Sequence, residues 1–277
     1  MGALIRSEFR KVLTTNVWWA LLIPAAIVTM LTVLGGGLLG FIFDSLVAQF
    51  EEFSDVSLPV ALIAFASGLN IGTIFAAIFG GLSMAGEFQH RTITTTYLTA
   101  PNRTATLLAK MAVYGVFGLG YGLVNVVFGT VGALVGQGVD KFPDVGEWLA
   151  VSGLGLLVTV LWTLLGVGLG ALVRSQIGVV LIVPLSSFVE FLLGAVLSTQ
   201  NAEEVTAFFP NSSASNALSG LAGQFFLDDL NPGLRSLLNT SQLIAGPAWW
   251  LTLLVFVAYA ALIVFLGRLA SQRRDVA

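Results

Sequence analysis

Long segments without a charged residue alternate with short polar segments along the chain. Charges are absent from residues 12–43, 56–86, 111–139, 148–173 and 236–267. A helix that crosses a bilayer needs roughly 20 apolar residues, so each segment has room for one crossing. A sixth apolar segment, 177–197, contains a single charge, Glu190. The pattern predicts an all-α polytopic membrane protein, a single domain over residues 1–277, with six spans at 17–39, 60–84, 113–135, 148–172, 177–197 and 248–267.

The few charged residues orient these spans. An even number of spans brings both termini to one side, and that side carries ten of the twelve Lys and Arg residues: Arg6, Arg10, Lys11, Arg91, Arg103, Lys110, Arg174, Arg268, Arg273 and Arg274. The opposite loops contain eleven of the fifteen Asp and Glu residues and only two cations. Because positive charge stays on the cytoplasmic side, we expect both termini in the cytoplasm and the protein in the cytoplasmic (inner) membrane.

Composition excludes a water-soluble fold. Of the 277 residues, 56% are hydrophobic and 10% are charged, and the mean hydropathy is +0.92. An ordinary soluble domain has roughly 25% charged residues. The chain contains no cysteine and one histidine, His90, so no metal site and no catalytic residue is predicted. The net charge of −3 argues against a nucleic-acid partner.

The N-terminal segment 1–16 has the pattern of an amphipathic helix. Its apolar face consists of Leu4, Ile5, Phe9, Val12 and Leu13, and its polar face of Arg6, Ser7, Glu8, Arg10 and Lys11. We expect this helix to lie along the membrane interface, in contact with the lipid bilayer. The alternative is a basic flank that only sets the topology.

The connection between the second and third predicted spans, residues 85–110, is polar and too long for a minimal turn. Pro101 is suited to end one helix, because the residue before a proline avoids the helical conformation. Asn102 or Thr104 is suited to cap the next helix. The sequence therefore predicts a short helix, a break, and then the lead into the third span, with a featureless loop as the alternative.

This connection resembles the signature of type-2 ATP-binding-cassette (ABC) transporter permeases. The residues that carry the resemblance are Glu87, Thr92, Ala100-Pro101, Arg103 and Lys110. In that family the segment also joins the second and third of six spans, and an amphipathic helix precedes the first. Arg91 departs from the pattern, since the family often has a glycine before the threonine.

The resemblance implies a function for residues 85–110. In the family this segment is a coupling helix that sits in a groove of a cytoplasmic ABC ATPase subunit. The implied ATPase-coupling contacts are Glu87, His90, Arg91, Tyr97 and Arg103. The chain has no G-x-x-x-x-G-K-[ST] phosphate loop, so it would hold no cofactor itself, and ATP and Mg²⁺ would bind to the partner ATPase. A second permease copy or a homologue is the other implied partner.

A few residues inside the predicted spans are candidates for a substrate pathway. Glu190 lies roughly 20 Å along its helix in a core about 30 Å thick, where a carboxylate is costly unless paired or hydrated. It either contacts a substrate or proton, or bonds to an outer loop such as the one with Ser212 and Ser213. Similar alternatives, pathway or helix packing, apply to Asn70, Asn125, Phe65, Phe75 and Phe79.

The segment 198–246 is long for a connection within a helical bundle. A capped helix is predicted after Pro210, and a turn at Asn231-Pro232-Gly233 before a second short helix. Family members have re-entrant helices at this position, on the extracytoplasmic side. An independent surface loop is the alternative.

The function that the resemblance implies is an ABC exporter permease for an amphiphilic or hydrophobic substrate, such as a drug, a lipid or a peptide. An enzyme is disfavoured because H-E-x-x-H and G-x-S-x-G are missing and the histidine is expected outside the membrane. A proton-coupled secondary transporter that uses Glu190 is one alternative, although the two halves of the chain show no repeat. A non-transporting membrane assembly protein is the other.

Overall fold

The computed structural model of the chain describes residues 2–47, 60–139, 142–199, 203–228 and 246–273. Within these ranges the regular structure is entirely helical. In chain order the helices are α1 (Gly2–Thr14), α2 (Val17–Val47), α3 (Val60–Gln89), α4 (Ile93–Thr99), α5 (Arg103–Gln137), α6 (Val145–Val173), α7 (Gln176–Ser198), α8 (Glu203–Thr206), α9 (Pro210–Asp228) and α10 (Trp249–Arg273).

Six of these helices are long and apolar enough to cross a membrane, namely α2, α3, α5, α6, α7 and α10. This finding confirms the six predicted spans and indicates a multi-pass membrane protein. The helices extend beyond the predicted spans, most of all α5, which begins at Arg103, ten residues before the predicted start of the third span. The Asn102 side chain accepts a hydrogen bond of 2.6 Å from the Ala105 amide and caps α5, so Asn102 is the cap among the two residues that the sequence predicts.

Helix α3 lies at the centre of the bundle and packs against α2, α5, α6, α7 and α9. Its closest neighbour is α6, and glycines line the contact on both helices. A Cβ atom on Gly166 would collide with the Ala77 carbonyl, and one on Gly170 with the Gly81 carbonyl. Such close approach of two backbones is the common use of small residues between membrane helices.

One end of the bundle, called the basal end here, collects α1, α4, the junction between α6 and α7, and the last residues of α10. Between α3 and α4 the chain turns sharply at Arg91, whose φ of 56° is left-handed. A side chain in this conformation costs about 1–2 kcal/mol, and glycine avoids that cost. Arg91 is the residue at which the chain departs from the permease pattern, and its backbone conformation is one that glycine would adopt without strain.

At the opposite end, α8 and α9 follow α7. Helix α9 starts at Pro210, as the sequence predicts, and buries Ala214, Leu218 and Ala222 against α3 and α10. The predicted turn at Asn231-Pro232-Gly233 and the second short helix lie outside the described residues.

The glycine contact between α3 and α6 yields a testable prediction. Gly166→Ala places a methyl group against the Ala77 carbonyl, so we expect a loss of about 1–3 kcal/mol in stability. Gly153→Ala on the same helix is the matched control, because its Cβ would meet open space. Alanine should gain up to about 1 kcal/mol there through helix propensity. Thermal unfolding in one detergent compares the two variants, and a Gly166→Ala midpoint at or above that of Gly153→Ala would contradict the account.

Candidate functional site

Helix α1 has one buried acidic residue, Glu8, whose side chain packs against the helical bundle. Glu8 and Val12 are buried, whereas Ile5, Phe9 and Leu13 are exposed. The sequence pattern predicted Glu8 on the polar face, opposite Val12, but in the structure both side chains are buried against the bundle. The physical reason is that Glu8 meets two ammonium groups at the basal end, and Ile5, Phe9 and Leu13 are left to face outward.

Four charged residues form a cluster in which α1, α3 and α5 meet. Lys110 Nζ lies 2.7 Å from Glu8 Oε2 and 2.7 Å from Glu87 Oε1. Lys11 Nζ lies 2.6 Å from Glu8 Oε1 and 2.8 Å from Glu87 Oε1, and it also donates to Thr96 Oγ1 of α4 at 3.4 Å. The cluster therefore ties four helices together and contains two positive and two negative groups.

Burial differs sharply within this cluster. The exposed fraction of the side chain is 1% for Glu8, 2% for Lys110, 12% for Glu87 and 45% for Lys11. A buried ion pair gains little over apolar packing when both partners are present, but removing one partner leaves a charge without compensation. Lys110 is thus the member whose loss should matter most.

Lys11 closes the cluster on its exposed side. Burial lowers the pKa of Lys11, but hydrogen bonds and Coulomb attraction from Glu8 and Glu87 outweigh burial and raise the pKa above its ordinary value. The stabilisation is complete below the ordinary lysine pKa and is lost as the pH rises through the raised one. At neutral pH Lys11 is therefore charged.

Two arginines bind the C-terminal end of α10. Arg103 Nη1 donates to the Ser271 carbonyl at 2.8 Å, and Arg174 Nη2 donates to the Ala270 carbonyl at 2.9 Å. The Arg103 guanidinium lies 5.3 Å from the centre of the Tyr97 ring, and burial raises the pKa of that phenol. The last carbonyls of a helix lack partners within the helix, so cationic side chains are suited to this position.

The remaining predicted coupling residues lie at the surface of the basal end. His90 is exposed, with its Nε2 atom 3.4 Å from Gln176 Nε2 at the start of α7. Arg91 is exposed in the left-handed turn. The structure therefore separates the predicted coupling set: Glu87 belongs to the ion cluster, Tyr97 and Arg103 to the end of α10, and His90 and Arg91 to the surface.

A cavity of about 720 Å³ lies beside the ion cluster. Its lining includes Phe79, Glu87 and His90, so one residue of the predicted pathway and two of the predicted coupling set share it. Glu8 and Lys11 were not predicted as site residues from the sequence. The only indication in the sequence was that both are charged residues on a helix beside an apolar bundle. Their partners Glu87 and Lys110 are far away in the sequence, so the pairing could not be predicted.

The predicted pathway residues do not converge on one site. Phe79 lies in an aromatic cluster with ring centres 4.8 Å from Tyr114 and 5.2 Å from Tyr121, and Phe75 packs beside that core. Phe65 stacks on Trp148 at 3.8 Å. These contacts match the helix-packing alternative.

Asn70 and Asn125 are polar groups inside the bundle. Asn125 is fully buried against Gly72 and Thr29, and Asn70 is partly buried. In the described part of the chain, neither oxygen of these two amides has a hydrogen-bond partner. The two side chains do not line the cavity at the basal end.

Glu190 bonds to the start of α9. Its Oε1 accepts from the Asn211 amide at 2.9 Å, and its Oε2 accepts from the Ser212 amide at 2.9 Å and the Ser212 hydroxyl at 3.0 Å. This is the second alternative of the sequence analysis, a carboxylate bonded to an outer segment. An anion at a helix N-terminus is stabilised by the free amides there.

No model of a known protein family matches the chain, and no curated protein matches it. Among the described residues, no group of His, Asp and Glu side chains is arranged to hold a metal ion.

The difference in burial between the two lysines yields a prediction. Lys110→Met leaves two carboxylates to share one ammonium group, so we expect a loss of about 3–5 kcal/mol in stability. Lys11→Met is the matched control and should cost about 1 kcal/mol or less, because Lys11 is half-exposed. Thermal unfolding of both variants in the same detergent measures the difference, and equal losses would refute the ranking.

Proposed function

We propose that the chain is the membrane subunit of an ABC exporter, which moves an amphiphilic or hydrophobic substrate with energy from a separate ATPase subunit. The observation that carries the proposal is α4, a short helix at the basal end between two membrane-spanning helices. Leu98 of α4 has an exposed fraction of 82%, although Ile93 of the same helix is buried. A short helix that is anchored by a buried residue and presents an apolar side chain outward is suited to dock into a groove of a partner.

The contacts around α4 support transmission of a movement from that partner. Thr96 of α4 bonds to Lys11 and thereby reaches the ion cluster on α1, α3 and α5. Tyr97 lies under Arg103, which bonds to the end of α10. A displacement of α4 would therefore act on four other helices through charged contacts, and closure of two ATPase subunits would reach the spans by this route.

Charge and exposure support the orientation. The cations of the N-terminal helix and of the turns beside α4 lie at the basal end, so we place this end in the cytoplasm. The exposed Ile5, Phe9 and Leu13 of α1 fit the membrane interface. In this orientation α8 and α9 take the extracytoplasmic position of the family's re-entrant helices.

Helix α7 supports pairing with a second permease copy. It buries Val179 and Val183 and leaves a broad apolar face exposed, which includes Leu181, Phe188 and Leu192. In the proposed complex, two such faces meet about a two-fold axis. The alternative of proton coupling through Glu190 gains no support, since three hydrogen-bond donors already hold this carboxylate.

The exposed leucine of α4 yields the test of the proposal. The tagged chain should co-purify with a subunit that carries an ABC-type phosphate-binding loop and hydrolyses ATP. Leu98→Asp should remove at least nine-tenths of that subunit, because a buried unpaired carboxylate at an apolar contact is unfavourable. Quantitative mass spectrometry of the purified complex measures the ratio of the two subunits.

Val205→Asp is the matched control, since Val205 is an exposed apolar residue of α8 at the opposite end. This variant should retain the ATPase subunit. Absence of any ATPase subunit from the wild-type complex would contradict the proposal, and so would equal retention in both variants.

A further inference from the structure

The cavity at the basal end has an exposed rim and a buried floor. It is bounded by α1, α3, α4, α5 and the first residues of α2 and α7. His90, Thr92 and Thr95 at the rim are exposed, whereas Phe79, Ser83 and Tyr114 at the floor are buried. The volume of about 720 Å³ lies within the range of about 300–1,000 Å³ that small-molecule sites occupy.

Two residues of α3 that line this cavity each have a buried polar atom without a partner among the described residues. The two atoms are Ser83 Oγ and Glu87 Oε2, whose residues lie one helical turn apart on the same face. A buried polar atom without a hydrogen bond costs about 1–3 kcal/mol, and more when it is charged. A pair of such atoms on residues that line one cavity therefore points to a ligand that binds both.

The ion cluster determines which ligand chemistry suits these two atoms. Three of the four carboxylate oxygens of Glu8 and Glu87 already accept from lysine, and Glu87 Oε2 is the fourth. Lys11 directs its ammonium group to three oxygens. The lining contains two lysines and two glutamates, so their charges balance, and His90 is the remaining titratable histidine at the rim. The unused group is an anionic acceptor, which favours a cationic hydrogen-bond donor and disfavours an anion.

The floor of the cavity supplies an apolar surface next to these acceptors. Phe79 and Leu82 of α3 and Tyr114 of α5 line the cavity beside Ser83 and Glu87 of α3. The lining therefore places apolar side chains next to the two unpartnered acceptors. This arrangement matches a molecule with a polar head and a hydrocarbon portion.

We propose that this cavity binds an amphiphilic amine, whose protonated N–H groups donate to Glu87 Oε2 and Ser83 Oγ and whose hydrocarbon portion lies against Phe79 and Leu82. The site depends on this chain alone. The proposed amine site can be tested independently of the proposed ATPase partner, because binding is measured on the purified chain.

Three eight-carbon probes test the head group on the full-length chain in a neutral maltoside detergent at pH 7. Octylamine carries charge and N–H donors, octyltrimethylammonium carries charge without donors, and octanoate is an anion. Octylamine should raise the midpoint of thermal unfolding in a saturable manner, as a ligand of the folded state does. The other two should cause no saturable rise. Equal effects of octylamine and octyltrimethylammonium, or tighter binding of octanoate, would overturn the proposal.

Variants of α3 locate the site. Ser83→Ala keeps the ion cluster and should weaken octylamine about tenfold, the loss of one hydrogen bond to a charged group. Ser83→Leu should abolish binding, because it removes the hydroxyl and places a bulky apolar side chain next to Glu87 one helical turn away. Ser67→Leu is the matched control on the exposed face of the same helix, and its affinity should equal that of the wild type. If Ser83→Leu and Ser67→Leu bind octylamine equally, the cavity is not the site.

Discussion

The ion pair between Glu8 and Lys110 is the interaction on which the arrangement of the basal end depends. Both side chains are almost fully buried, and their atoms meet across 102 residues of sequence. Burial of either charge alone would be strongly unfavourable, so α1 is held against α5 as long as both are present. Glu87 and Lys11 extend the pair to α3 and to Thr96 of α4. In the same cluster, Glu87 Oε2 has no hydrogen-bond partner among the described residues, and it is an acceptor of the proposed amine site.

Helix termini account for several of the other charged residues. Arg103 and Arg174 donate to the last carbonyls of α10, and Glu190 accepts from the first amides of α9. Backbone groups at helix ends have no partner within the helix, and apolar surroundings offer no water in their place. In a chain with 10% charged residues, the scarce charges thus join one helix to the end of another. Charged contacts connect α4 to α3, α5 and α10. In the proposed coupling, a displacement of α4 would be transmitted through these contacts.

The spans could be predicted because the length of a charge-free segment is a local property of the sequence. The cap at Asn102 could be predicted from the residue type beside Pro101, whereas hydropathy alone places the start of this span ten residues later than the start of α5. The inward position of Glu8 could not be predicted, because amphipathicity assigns every charge to the solvent side unless its distant partner is known. For Glu190 the sequence left two alternatives, and the contact with Ser212 distinguishes them only in three dimensions. Glu87, His90 and Phe79 were each predicted as candidate functional residues. The cavity that all three line could not be predicted from the sequence.

The central claim, that the buried pair of Glu8 and Lys110 holds α1 to the bundle, is tested most directly by exchanging the two charges. Glu8→Lys gives three cations to one anion, and Lys110→Glu gives three anions to one cation, so each single variant should lose about 3–5 kcal/mol. The double variant Glu8→Lys/Lys110→Glu restores two charges of each sign, and its unfolding midpoint should recover most of the loss. If the losses of the two single variants simply add in the double variant, the pair does not hold the helices together and the account is contradicted.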